Sequence, residues 1–169
     1  MTSTIAILAA ALVLAAPHAQ SFLKNQPQRV RVEAQVTRTD APRGPGFTLT
    51  ITATPVPGVH VYAPGNPDYN SVAVTLRPVE GLAFGIPVYP KAEPYFFAPL
   101  RESVKVYSKP FTVRVPVTVT SDDANQAAAG TATVKGTFDY QACDDKLCFP
   151  PQSAPFTATF PLPAPPQGS

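Results

Sequence analysis

Cys143 and Cys148 are the only cysteines of the chain, and four residues separate them in Tyr140-Gln141-Ala142-Cys143-Asp144-Asp145-Lys146-Leu147-Cys148-Phe149-Pro150-Pro151. A pair this close cannot join distant parts of a fold, so its chemistry is local. Three chemistries fit. A structural disulfide closing a loop of about six residues would contribute only ~2 kcal/mol in the chain-entropy model. A sandwich that needed a staple would gain more from a bridge between its sheets. Metal binding is the second. Structural zinc takes four Cys or His ligands, whereas beyond the N-terminal segment the chain offers two cysteines and His60. Asp144 or Asp145 would complete a site without selecting a metal, and two thiolates would suit soft Cu(I). The third is a redox-active pair, since a bridge held in a short turn departs readily from relaxed geometry and becomes easier to reduce. We carry the third forward and expect no metal and no cofactor.

The surroundings narrow the redox role. Asp139, Asp144 and Asp145 flank the pair against the single cation Lys146. Negative neighbours raise a thiol's pKa, so neither cysteine is a strongly activated thiolate by itself. The spacing is not Cys-x-x-Cys either. Such a site relays electrons: a partner's thiolate attacks its disulfide, and the reduced form passes electrons on after docking. Other chemistry lacks its residues. One histidine beyond the N-terminal segment and scattered acids make no Ser/His/Asp or paired-carboxylate arrangement. The net charge of +2, with dispersed basic residues, offers no cluster that would follow a phosphate backbone, so no nucleic-acid partner is expected.

The elements that must position the pair read as strands. Phe111, Val113, Val115, Val117 and Val119 alternate with polar residues, as do Ala132, Val134, Gly136, Phe138 and Tyr140. Val30–Val36, Phe47–Ala53, Val72–Leu76, Val104–Val106 and Phe156–Leu162 repeat the pattern. Period-two alternation marks half-buried strands, and no stretch beyond the N-terminal segment shows helical periodicity. About seven strands with proline and glycine punctuation predict an all-β chain, an immunoglobulin-like two-sheet antiparallel sandwich. Pro116, on the outward phase of its strand, predicts an edge or a bulge there.

Residues 1–19 read as a secretory signal. An apolar run from Ile5 to Ala16 is too short for a membrane span and ends near Pro17-His18-Ala19. Residues 20–162 form the domain, and residues 163–169 a proline-rich tail. The mature chain is expected to be soluble, exported to the periplasm and monomeric.

Two long connections stand out, Ala63–Asn70 and Tyr89–Leu100. Tyr95, Phe96 and Phe97 in the second read either as core residues of a loop or as a hydrophobic flap over a site. His60 reads first as a strand histidine with a satisfied ring, and second as a neighbour of the thiols. Tyr140 falls on the inward phase of its strand. Gln141 and Cys143 share the outward one, which places Gln141 near the sulfur or a partner.

The segment from Tyr140 to Pro151 resembles the active-site segment of the N-terminal periplasmic domain of DsbD-type thiol:disulfide interchange proteins: Tyr-Gln-(Gly/Ala)-Cys, an acidic spacer, Cys, an apolar residue and Pro-Pro. The resemblance runs from about Val30 to Leu162 and implies an immunoglobulin-like fold that takes electrons from a membrane-embedded donor and reduces thioredoxin-like periplasmic proteins. It implies that Cys143 and Cys148 are the redox pair, with Cys148 forming the mixed disulfide. Tyr95, Phe96 and Phe97 correspond to a cap, His60 and Tyr62 to site-lining residues, and Glu33 to an acid beside the cysteines. The chain departs from the family in its four-residue spacer, where some members have five, and in His60, where tyrosine is common. It carries neither membrane nor thioredoxin-like segments, so its electron source is expected to be a separate protein. The rival expectation is a non-catalytic immunoglobulin-like binding module whose cysteines tie a hairpin.

Overall fold

The computed structural model describes residues 26–41, 44–120 and 130–162; the expected signal (1–19) and tail (163–169) lie outside them. Among the described residues there are eleven strands and no helix. One antiparallel sheet is ordered β1 (Val30–Ala41), β2 (Gly44–Pro55), β8 (Phe111–Val119) and β5 (Leu82–Phe84). A second is ordered β11 (Gln152–Pro161), β9 (Thr131–Tyr140) and β4 (Ala73–Leu76). The third runs β10 (Ala142–Cys143), β3 (His60–Tyr62), β7 (Glu102–Tyr107) and β6 (Glu93–Phe97).

The first two sheets are the layers of the sandwich. Leu49, Ile51, Val113 and Val115 of one layer are fully buried in the same cluster as Val134, Phe138 and Phe160 of the other. Complete burial of each such side chain contributes roughly 1.5–3 kcal/mol. Phe47 and Phe160 meet across the layers with ring centroids 4.8 Å apart.

The third sheet lies where β2 ends and β8 begins, at the end of the sandwich that the register Ala53↔Phe111 defines. Tyr140, the last residue of β9, ties both layers together there. Its hydroxyl accepts the backbone N–H of Arg29 (3.1 Å) and Val30 (3.3 Å) and lies 2.9 Å from Gln152 Oε1. The inward phase expected for Tyr140 therefore holds. The expected two-sheet sandwich gains a third sheet of short strands, and that sheet carries the cysteine turn.

Pro116 corrects the expectation of an edge. β8 is interior, and Thr48↔Pro116 pairs without interruption against β2. The adjustment falls on the other neighbour. The β5 ladder ends at Phe84↔Val117, and pairing resumes at Val88↔Arg114, so three residues there face two. Gly85 donates to the Pro116 carbonyl at 2.8 Å, and a Cβ at Gly85 would lie 3.1 Å from the proline ring. The extra residue steers the neighbouring chain past a position that has no N–H to offer.

Candidate redox site

The site is one face of the third sheet. Its register pairs Cys143↔His60, Tyr62↔Val106, Tyr95↔Val104 and Phe97↔Glu102. Cross-strand partners share a face, and successive residues alternate. Cys143, His60, Tyr62, Val104, Val106, Tyr95, Phe97 and Glu102 thus lie on one side. Ala142, Val61 and Tyr107 lie on the other and belong to the main core. Cys143, Tyr62, Val104 and Val106 form a second, smaller buried cluster, against which Tyr69, Tyr95 and Cys148 pack. Cys143 does point away from the main core, as its phase predicts, but it is 0% exposed because this second cluster covers it.

Cys143 and Cys148 are disulfide-bonded, with Cα atoms 4.0 Å apart. The turn between them is fixed by the Asp144 side chain. Its Oδ1 accepts the backbone N–H groups of Lys146 and Leu147, both at 2.8 Å. Asp144 N–H donates to the Leu147 carbonyl at 3.0 Å, and Phe149 N–H to the Ala142 carbonyl at 2.8 Å. Hydrogen bonds from Leu147 and then Lys146 hold the Asp144 carboxyl below its usual pKa. Asp139 is occupied elsewhere: it accepts from Thr75 (3.1 Å), Thr137 (3.2 Å) and Ser153 on the second sheet.

The two sulfurs differ. Cys143 is sealed, while Cys148 is half-buried and sits 3.4 Å from the Tyr62 hydroxyl. A disulfide sulfur carries no hydrogen, so the hydroxyl donates. Tyr62 stacks on Tyr69 (4.0 Å), which arrives from the first long connection. Burial first, then the charge of Glu102 and the nearby Tyr95, pushes the Tyr62 hydroxyl above its usual pKa. Glu102 Oε1 is itself sealed and without a hydrogen bond.

His60 is 4% exposed. Its ring packs on Tyr95 at 4.2 Å and meets Tyr62 edge-on at 6.1 Å. Its Nε2 makes no hydrogen bond, so the ring is not the satisfied strand histidine of the first expectation. Burial lowers its pKa, opposed by the charge of Asp144.

The expected cap residues are part of a strand, not a loop. Glu93–Phe97 is the edge strand β6, joined to β7 by a turn in which Arg101 adopts φ 55°. Tyr95 and Phe97 face the site, and Phe97 is buried. Phe96 lies on the opposite face and is 60% exposed. Gln141 reaches the turn from outside: its Nε2 donates to the Phe149 carbonyl (3.3 Å), and its Oε1 accepts from Asn70 (3.4 Å). Glu33 stands apart from these residues. It lies on β1 opposite Thr52, exposed, with Arg31 at 3.7 Å, and the described contacts do not bring it to the cysteines.

Three neighbours were not read from the sequence. Tyr69 lay in a connection singled out only for its length. Glu102 continues the Val104–Val106 phase by one more step. Arg29 places its guanidinium 3.7 Å from the centroid of Phe149, the residue after Cys148; no motif pointed to it.

Residues 26–159 match the family described as thiol:disulfide interchange protein DsbD, N-terminal. No curated protein matches the chain. Among solved structures, the N-terminal periplasmic domain of ScsB from Proteus mirabilis is similar at 15% identity and a TM-score of 0.45, over 76% of this chain. The chain spans 44% of that structure's length.

Proposed function

The chain belongs to the family of the N-terminal domain of the thiol:disulfide interchange protein DsbD, and from that premise we propose that it relays electrons between partner proteins through the Cys143–Cys148 pair. A partner thiolate attacks Cys148 Sγ, the Cys143–Cys148 bond breaks, and Cys143 leaves as a thiolate that takes up a proton. The partner's second thiol then resolves the mixed disulfide, leaving this domain as a dithiol and the partner oxidised. In the forward half of the relay, the Cys148 thiolate attacks an acceptor's disulfide, and Cys143 closes the intramolecular bond again.

The observation that carries this reading is the asymmetry of the two sulfurs. Cys148 is half-buried and its sulfur accepts from Tyr62, while Cys143 on the same face is fully enclosed. A staple has no use for such a difference, and the bridge closes only a local turn. The donor fits a membrane-embedded thiol protein and the acceptor a thioredoxin-like periplasmic protein. On this reading the domain works in the periplasm as a monomer and needs neither metal nor cofactor. Tyr95 and Phe97 shield the pair, and His60, Tyr62 and Gln141 line its surroundings.

Trapping tests this. Cys143→Ala leaves Cys148 able to form a mixed disulfide that nothing inside the protein can resolve, so the variant is expected to accumulate a covalent complex with a thioredoxin-like redox protein. Cys148→Ala is expected to accumulate far less. A redox titration of the native pair is expected to give a midpoint above about −300 mV, the range below which structural bridges fall. No captured partner together with a midpoint below that range returns the chain to the binding-module reading.

A further inference from the structure

We propose that His60 is the base that takes the proton from Cys143 when the pair closes. The inference rests on the redox reading above and adds a residue to it. Cys143 is fully enclosed, so its thiol cannot shed a proton directly to bulk water. His60 is its cross-strand partner on the same sheet face. The imidazole is 4% exposed, and its Nε2, like Glu102 Oε1 on the same face, is buried without a hydrogen bond to the protein. Packing against Tyr95 and Tyr62 fixes the ring.

The charged and titratable groups that face it are Asp144 after β10, Tyr62 on β3 itself and Tyr95 on β6, with Glu102 of β7 on the same sheet face beside Tyr62. Burial, opposed by the charge of Asp144, lowers the imidazole's pKa from its ordinary 6.5 and so favours the neutral form that a base requires.

The step balances as follows. Cys148 is joined to an acceptor sulfur in a mixed disulfide. The Cys143 thiol gives its proton to His60 Nε2, and the resulting thiolate attacks Cys148 Sγ. The bond between Cys148 and the acceptor breaks, and the acceptor leaves as a thiolate. The two cysteines are oxidised and the acceptor is reduced. His60 then passes its proton on to solvent after the acceptor has left.

The reduced full-length protein, mixed with dithiobis(nitrobenzoate), separates this step from the one before it. The first release of coloured thiolate reports attack by Cys148, and the second reports closure by Cys143. In His60→Phe and His60→Gln the first phase is expected to keep its rate. The second is expected to slow on the order of a hundredfold near neutral pH and to recover as pH rises toward the thiol's own range. The unmodified protein is expected to close at a rate that levels off once the imidazole is neutral. A second phase with unchanged rate and pH profile in both variants overturns the role of His60 while leaving the relay intact. An unmodified protein that gives no closing phase overturns the redox reading, and this inference with it. A merely structural role would shift thermal stability without altering the pH profile of the second phase.

Discussion

Tyr62 joins the two halves of the site, because its ring belongs to the small buried cluster and its hydroxyl donates to the sulfur of the half-buried Cys148. Its raised pKa keeps the hydroxyl protonated, so it remains a donor across the working range. When Cys148 is reduced, that bond becomes charge-assisted and favours the thiolate. A hydrogen bond to a charged group contributes about 1.5–3 kcal/mol, and one pKa unit corresponds to about 1.4 kcal/mol. In a Cys143→Ala background, Tyr62→Phe is therefore expected to raise the pH at which Cys148 is alkylated by about one unit or more. An unchanged alkylation midpoint would leave Tyr62 as packing only. At this scale the cysteines were legible because a motif marks them, whereas His60 and Tyr62 were placed beside them by the family resemblance. Glu33 was placed by order along the chain alone, and the strand it occupies runs through a different sheet. Tyr69 was illegible because its stacking depends on how the Ala63–Asn70 connection folds back, with Asn66 Nδ2 bonded to the Ala63 and Lys105 carbonyls at 2.8 and 2.9 Å.

Of the four strands that carry the site, alternation revealed only β7. Long strands such as β8 and β9 repeat their phase four or five times, and all seven segments read from the pattern are strands. β3 and β5 have three residues and β10 has two, too few for a period to show, while β6 contains Pro94 beside three consecutive aromatics. Proline is tolerated there because β6 is an edge. The aromatic run Tyr95-Phe96-Phe97 looks uniform in the sequence, yet a strand sends its middle residue to the far side. Tyr95→Ala or Phe97→Ala is therefore expected to loosen the hairpin over the site, whereas Phe96→Ala removes only an exposed ring. With Cys148→Ala leaving Cys143 as the single thiol, the first two variants are expected to speed its alkylation roughly tenfold, as a change of about 1.4 kcal/mol in local opening would. Phe96→Ala is expected to react at close to the parent rate. If all three accelerate equally, the hairpin does not act as an oriented shield.

Across the whole of the described residues there are two hydrophobic clusters with different duties. The larger one, built by the long strands of both sandwich layers, holds the fold; the smaller one contains Cys143 and the Tyr62 ring, and the buried His60 packs on Tyr95 beside it. Burying His60 on the site face couples the redox end of the molecule to global stability through pH. Burial depresses the folded-state pKa of His60 below its ordinary 6.5. Between those two values the unfolded chain binds a proton that the folded chain does not. Stability therefore rises with pH across that window and falls as the medium is acidified below 6.5, levelling off once the folded form is also protonated. Asp144 acts in a separate, lower window: its depressed pKa gives a contribution present above about 3.8 and lost as pH falls through its folded value. Urea unfolding of the oxidised protein is thus expected to show a lower midpoint at pH about 5.5 than at about 7.5 with little change in slope. His60→Phe is expected to remove most of that difference. An equal acid shift in the variant would assign the loss to carboxylates titrating in the main fold, and would mean that His60 takes up its proton as readily folded as unfolded.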